Sequence, residues 1–158
     1  RRGFRTVAHR EYAKKDIPFI ADAAWDFAGR DSSVPIKVDD TGVGGGVTDS
    51  LRRLGAKAVP VNFGGAPKDK NKYDTAADEM WFEFPIEDVS IPDDPDLMTE
   101  LSGRLYDYDK QGRRKVESKK LFKERFGKSP DKADALLLAY YTGYTRVSRV
   151  GSVRYSGF

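Results

Sequence analysis

The sequence predicts an α/β domain with parallel strands joined by helical crossovers, and three observations carry that prediction. Val34, Ile36 and Val38 alternate with Pro35 and Lys37, the two-residue period of a half-buried strand. The strand runs into Asp39-Asp40 and the glycine turn Thr41-Gly42-Val43-Gly44-Gly45-Gly46, after which Val47–Leu54 shows helical spacing and stops at Gly55. Ala58–Asn62 is then a second short apolar strand, and strand–helix–strand order implies parallel pairing.

The other elements follow in order. Phe4–Tyr12 reads as a strand containing His9, the single histidine, in a surface or core-filling position. Asp16-Ile17-Pro18 opens a helix with Asp16 as N-cap, and Ile17, Ile20, Ala24, Phe27 and Ala28 mark its apolar face. Phe63–Lys72 is a polar loop carrying Lys68, Lys70 and Lys72, either a solvated connector or a phosphate-contacting segment. Ala76–Phe84 is helical until Pro85 stops it, Val89–Pro92 is extended, and Pro95 opens a helix ended by Gly103. Arg104–Tyr108 and Arg113–Glu117 flank Asp109-Lys110-Gln111-Gly112, a hairpin signal. Ser118–Phe126 is a helix closed by Gly127, and Ser129-Pro130 starts the last one as N-cap and first helical residue. We place one domain at residues 1–142 and a basic tail at 143–158, where Arg146, Arg149 and Arg154 occur without an acid.

Composition narrows the classes. Without cysteine there is no disulfide framework or thiolate metal site. No apolar run approaches the roughly 18 residues of a spanning helix. A net charge of +3 permits nucleic-acid binding only where cations cluster. Such a cluster exists: the hairpin carries Arg104, Lys110, Arg113, Arg114 and Lys115 with Tyr106 and Tyr108 interleaved, either a solvated ribbon, as most charged hairpins are, or one that suits a nucleic-acid backbone.

The acids carry the chemistry. Asp39 and Asp40 stand at the carboxyl end of a strand, where open α/β sheets bind ligands, or else serve only to cap the glycine turn. Asp131 and Asp134 share one side of the last helix. Asp131 sits in the first turn, where the helix dipole favours an acid. Asp134 lies deeper, before Ala135-Leu136-Leu137-Leu138, and a carboxylate buried there needs a partner. That partner is a metal ion or a cation from elsewhere in the chain. Oxygen-only ligands suit Mg²⁺ or Mn²⁺, and two such ions about 4 Å apart clamp an in-line phosphoryl displacement.

The strand with VDDTGVGGGVTDSLRRLG, followed much later by SPDKADALLLAYY, resembles the nuclease domain of phage terminase large subunits, over roughly Phe4 to Tyr141. The stretch IPDDPDLMTELSGRLYDYD is similar to the same family. The resemblance implies an RNase H-like mixed sheet flanked by helices, with a basic hairpin. It implies a Mg²⁺- or Mn²⁺-dependent endonuclease that cuts concatemeric double-stranded DNA in the host cytoplasm through a two-metal site. Implied partners are the ATPase domain of the same terminase, the portal and the small terminase subunit, with no membrane. By motif, Asp39 and Asp134 would be the metal-binding catalytic acids, with Asp131 as an extra one; Asp40 points to the opposite strand face. Lys68, Lys70, Lys72, Lys110, Arg113, Arg114 and Lys115 would contact DNA.

Two departures shape the expectation. The chain starts at Arg1 without an initiator Met, and the family's first-strand Asp would lie upstream, so we expect a fragment lacking one strand and one metal ligand. No G-x-x-x-x-G-K-[ST] phosphate loop occurs. The alternatives are a non-catalytic DNA- or portal-docking module and a junction resolvase on the same fold.

Overall fold

The computed structural model describes residues 4–6, 8–42 and 44–142; the expected tail at 143–158 lies outside them. In chain order the elements are β1 (Phe4–Arg5), α1 (Ile17–Phe27), β2 (Pro35–Asp39), α2 (Gly44–Arg53), β3 (Lys57–Val61) and α3 (Ala76–Phe82). Then come β4 (Val89–Ser90), α4 (Pro95–Gly103), β5 (Tyr106–Tyr108), β6 (Arg114–Val116), α5 (Lys119–Phe126) and α6 (Asp131–Tyr140).

The crossover read from the sequence is present. β2 and β3 pair in parallel from Pro35 opposite Lys57 to Asp39 opposite Val61, and α2 connects them. The first strand differs from expectation. Among the described residues, Phe4–Arg5 pair in parallel with Val89–Ser90, Thr6 N adds a bond to the Ser90 carbonyl, and residues 8–15 are exposed. β5 and β6 form the antiparallel hairpin, and Asp109 builds its turn by accepting bonds from Gln111 N and Arg113 N.

The glycine turn is explained by close approach of the chain to itself. Helix α2 starts at Gly44, three residues before the expected Val47, because its first turn lies against the end of β2. A Cβ on Gly44 would stand 1.7 Å from the Asp39 carbonyl oxygen. One on Gly46 would meet Ile17 Cδ1 at 2.8 Å, so α2 is also seated tightly on α1. Of the apolar face expected for α1, Ala24 and Ala28 pack on the core and Ile17 meets Gly46, and the fully buried residues lie beside them. Ala21 and Trp25 are buried against Leu51 and Ala56, whereas Phe27 is 46% exposed. Asp16 caps α1 as expected, accepting from Phe19 N at 2.9 Å.

A second core, formed by Val61, Phe63, Met80, Leu137 and Tyr141, joins β3 to α3 and α6, and a third packs Leu97 of α4 on Ala133 and Leu136. The start of α6 corrects the expected cap. Ser129 makes no capping bond and Pro130 is the N-cap. Glu100, buried in α4, accepts from Ala133 N at 2.9 Å and serves as a cap from another helix. Burial pushes the Glu100 carboxyl up. Beside it, Lys132 of α6 pairs with Asp94, the N-cap of α4, at 2.9 Å.

Two outcomes follow for stability. Gly44→Ala forces α2 off the end of β2 and should cost about 3 kcal/mol, the upper range of overpacking, read as a lower urea midpoint at unchanged slope. Asp94 is held down at about 2, against an ordinary 3.8, chiefly by the Lys132 hydrogen bond and then by Leu97 N. Its contribution is complete above the ordinary value and disappears as pH falls through about 2. Asp94→Asn should therefore flatten that part of the acid-unfolding curve, followed by circular dichroism.

Candidate functional site

β2 ends at the tip of the sheet, and its last residue and the next point to opposite faces. Asp40 is absorbed locally: its backbone N donates to the Val61 carbonyl, and its Oδ1 accepts from Thr48 Oγ1 at 2.9 Å. Asp39 faces the other way, toward α5 and α6. Its Oδ1 accepts from Thr41 N at 3.1 Å and its Oδ2 lies 3.9 Å from Lys119 Nζ.

Asp134 arrives from the first turn of α6 with a side chain 7% exposed. Of the two kinds of partner open to it, metal ion or cation of the chain, the structure supplies the second. Arg104 Nη1 donates to Asp134 Oδ1 at 2.9 Å, and Trp81 Nε1 donates to the same oxygen at 3.2 Å. The Arg104 side chain is 4% exposed, its guanidinium lies 4.6 Å from the Trp81 ring centroid, and its Nε donates to the Glu117 carbonyl. Arg104 is thus buried in the site and is withdrawn from the hairpin cations facing solvent.

Asp134 Oδ2 is different. It is buried and makes no well-directed hydrogen bond; it faces the Lys119 ammonium at 2.8 Å. Lys119 therefore stands between Asp39 and Asp134. Two carboxylates from separate elements converge on one cation position, and the donor set, oxygen only, fits a hard divalent ion there.

Asp131 is not brought to this position. It is exposed on the first turn of α6, where its charge acts on Glu100. Among the described residues, the acids and histidine with ligand atoms all within 4.8 Å are His9, Glu11 and Asp94. Lys132 already pairs with Glu11 and Asp94 there, at 3.0 and 2.9 Å. A cavity of about 380 Å³ lined by Lys68, Glu79, Glu83 and Tyr140 includes none of the three predicted aspartates.

The remaining predicted cations divide. Lys68, Lys70 and Lys110 are exposed with no ion pair among the described residues. The loop bearing the first two is held by Glu79, which accepts from Lys68 N and Asp69 N. Lys72 lies 3.6 Å from Asp69, and Lys115 lies 3.9 Å from Asp74. Arg113 is committed to Asp74 and Asp109, both within 2.7 Å, and Arg114 lies over the Phe82 ring.

Sequence reading missed Lys119 and Trp81 and misassigned Arg104. Lys119 did leave a signal: a lysine as first residue of a helix opposes the dipole and has to be compensated. Removing Asp134 strands the buried Arg104 charge. Asp134→Ala should therefore lose about 3 kcal/mol or more in chemical unfolding, whereas Asp39→Ala, at a carboxylate one-third exposed, should lose less than about 1.

No family model matches the chain, and no curated protein matches its sequence. Solved structures do match in shape. The nuclease domain of the large terminase subunit gp2 of bacterial virus Sf6 superposes with a TM-score of 0.71 at 19% identity, over 91% of this chain and 80% of that one. A lysine-to-alanine mutant of that domain with manganese gives 0.71 at 19% identity over 89% and 80%. The corresponding mutant with calcium gives 0.70 at 19% identity over 89% and 79%. The chain thus has the RNase H-like fold of a large-terminase nuclease domain.

Proposed function

We propose that this chain is the nuclease domain of a viral DNA-packaging terminase, a divalent-metal-dependent endonuclease acting on concatemeric double-stranded DNA. The observation that supports this best is the convergence of Asp39 and Asp134 on one cation position at the carboxyl end of β2. The shape shared with terminase nuclease domains solved with manganese or calcium supports the same reading.

Asp39 and Asp134 would hold Mg²⁺ or Mn²⁺, which when bound supplies charge stabilisation and a water of lowered pKa. A two-metal site is part of the proposal, and Asp131, exposed on the first turn of α6, lies outside the position that Asp39 and Asp134 share. The chain's own residues do the rest. Arg104 and Trp81 occupy Asp134 Oδ1, so that Oδ2 is the oxygen facing Lys119, whose ammonium also approaches Asp39. Lys119 supplies an ammonium at the site, with a side chain 43% exposed and able to turn toward a substrate phosphate. Lys68, Lys70, Lys72, Lys110, Arg114 and Lys115 would hold the duplex backbone, and Arg113 fixes the turn that presents Lys110. The ATPase domain, portal and small subunit of a packaging motor are the partners this role requires, in the host cytoplasm.

Plasmid nicking with Mn²⁺ tests the reading. Asp39→Asn and Asp134→Asn should abolish cleavage, and Asp40→Asn should retain most of it because that carboxylate serves Thr48. Retained nicking by a folded Asp39→Asn variant would end the assignment. Neutralising Lys110, Arg114 and Lys115 should reduce the slope of log affinity against log salt by roughly 0.9 per phosphate that the protein no longer neutralises.

A further inference from the structure

We infer that Arg104 is a positioning residue that turns Asp134 into a one-oxygen ligand for the cation position. This deepens, and rests on, the nuclease reading above. A free carboxylate on a helix rotates about its terminal torsion and presents either oxygen. Here Oδ1 receives two donors, Arg104 Nη1 at 2.9 Å and Trp81 Nε1 at 3.2 Å, while Oδ2 receives no directed hydrogen bond and faces Lys119. The donors differ in kind from Lys119. Arg104 is anchored three ways, by Nε on the Glu117 carbonyl, by Nη1 on Asp134 and by its face on the Trp81 ring. Only a planar guanidinium makes those contacts together. Lys119 is a point charge on a flexible, 43% exposed stem, occupying the place of a cation.

The two cations should therefore have opposite effects on metal affinity. If both merely neutralised Asp134, deleting either would tighten binding of a competing cation. Positioning requires that Arg104 variants bind more weakly, because Asp134 then turns its oxygens freely and the site must be ordered at each binding event. Loss of such a partner typically costs 10–100-fold in metal affinity.

The test uses the 158-residue chain and Mn²⁺ alone, by calorimetry. Arg104→Gln and Arg104→Lys should each weaken Mn²⁺ binding by about 10-fold or more. The lysine variant keeps the charge and guards against failure of the glutamine variant to fold. Lys119→Ala should bind Mn²⁺ more tightly than the unaltered chain. Arg104 variants that bind as tightly as the unaltered chain, or tighter, overturn the inference. Exchange of the Trp81 indole N–H with solvent, resolved by NMR as one of two indole signals, reports the same contact without metal. It should accelerate in both Arg104 variants and stay slow in Lys119→Ala; an unchanged rate in the Arg104 variants overturns the inference. Acceleration in a chain that binds no Mn²⁺ keeps Arg104's role on Asp134 and ends the nuclease reading.

Discussion

A carboxylate 7% exposed at the end of the first turn of α6 is the constraint to which the rest of the structure answers. Burying a charge is unfavourable unless partners and hydrogen bonds replace water. Asp134 is satisfied by groups from three further places: Trp81 on α3, Arg104 at the entrance to the hairpin, and Lys119 just beyond its exit. These contacts fix α3, the hairpin and α5 around α6. Three more bonds hold the hairpin base, as Asp78 of α3 accepts from Val116 N and Arg125 binds both Glu117 and the Gly103 carbonyl. Lys37 of β2 completes the arrangement from the other end by donating to the Ala139 carbonyl near the C-terminus of α6, where a cation suits the dipole.

The end of β2 shows how one strand separates a structural acid from an available one. The two-residue period places Asp39 and Asp40 on opposite faces, and the glycines decide what lies on each. Gly44 lets α2 begin against the Asp39 carbonyl, and Thr48, one turn along, then reaches Asp40. Asp39 retains a carboxylate that, among the described residues, Thr41 N and the Lys119 ammonium address. At Gly44 the glycine turn is filled by backbone, the carbonyl of Asp39.

Features governed by neighbours in sequence were legible there: the β2–α2–β3 crossover, the Asp16 cap, the hairpin turn, and the left-handed Gly55 and Gly127. Features governed by distant partners were not. Nothing near Ser129 announces that Glu100, 33 residues before Ala133, caps α6. Arg104 reads as one more hairpin cation, yet its partner lies 30 residues further on and in the core. The first strand was overextended for the same reason, since its pairing partner is the distant β4. The candidate site was legible as acids and illegible as an ion-pair network.

That network also bears on why the acid is charged at all. A buried ion pair often does no better for stability than apolar side chains of equal volume, since desolvation offsets attraction. The Arg104–Asp134 pair is therefore poorly described as a brace. An apolar pair would fill the same space, but it would leave Lys119 and Asp39 facing hydrocarbon in place of an oxygen. What the charged pair adds is direction. One oxygen is tied down by two donors, and the other is held against a cation position shared with the end of β2. The hairpin enters through Arg104 and leaves toward Lys119, so the ribbon bearing Lys110, Arg114 and Lys115 is built out from the carboxylate at both of its ends. Position of the ribbon and orientation of the acid are thus set by the same contacts.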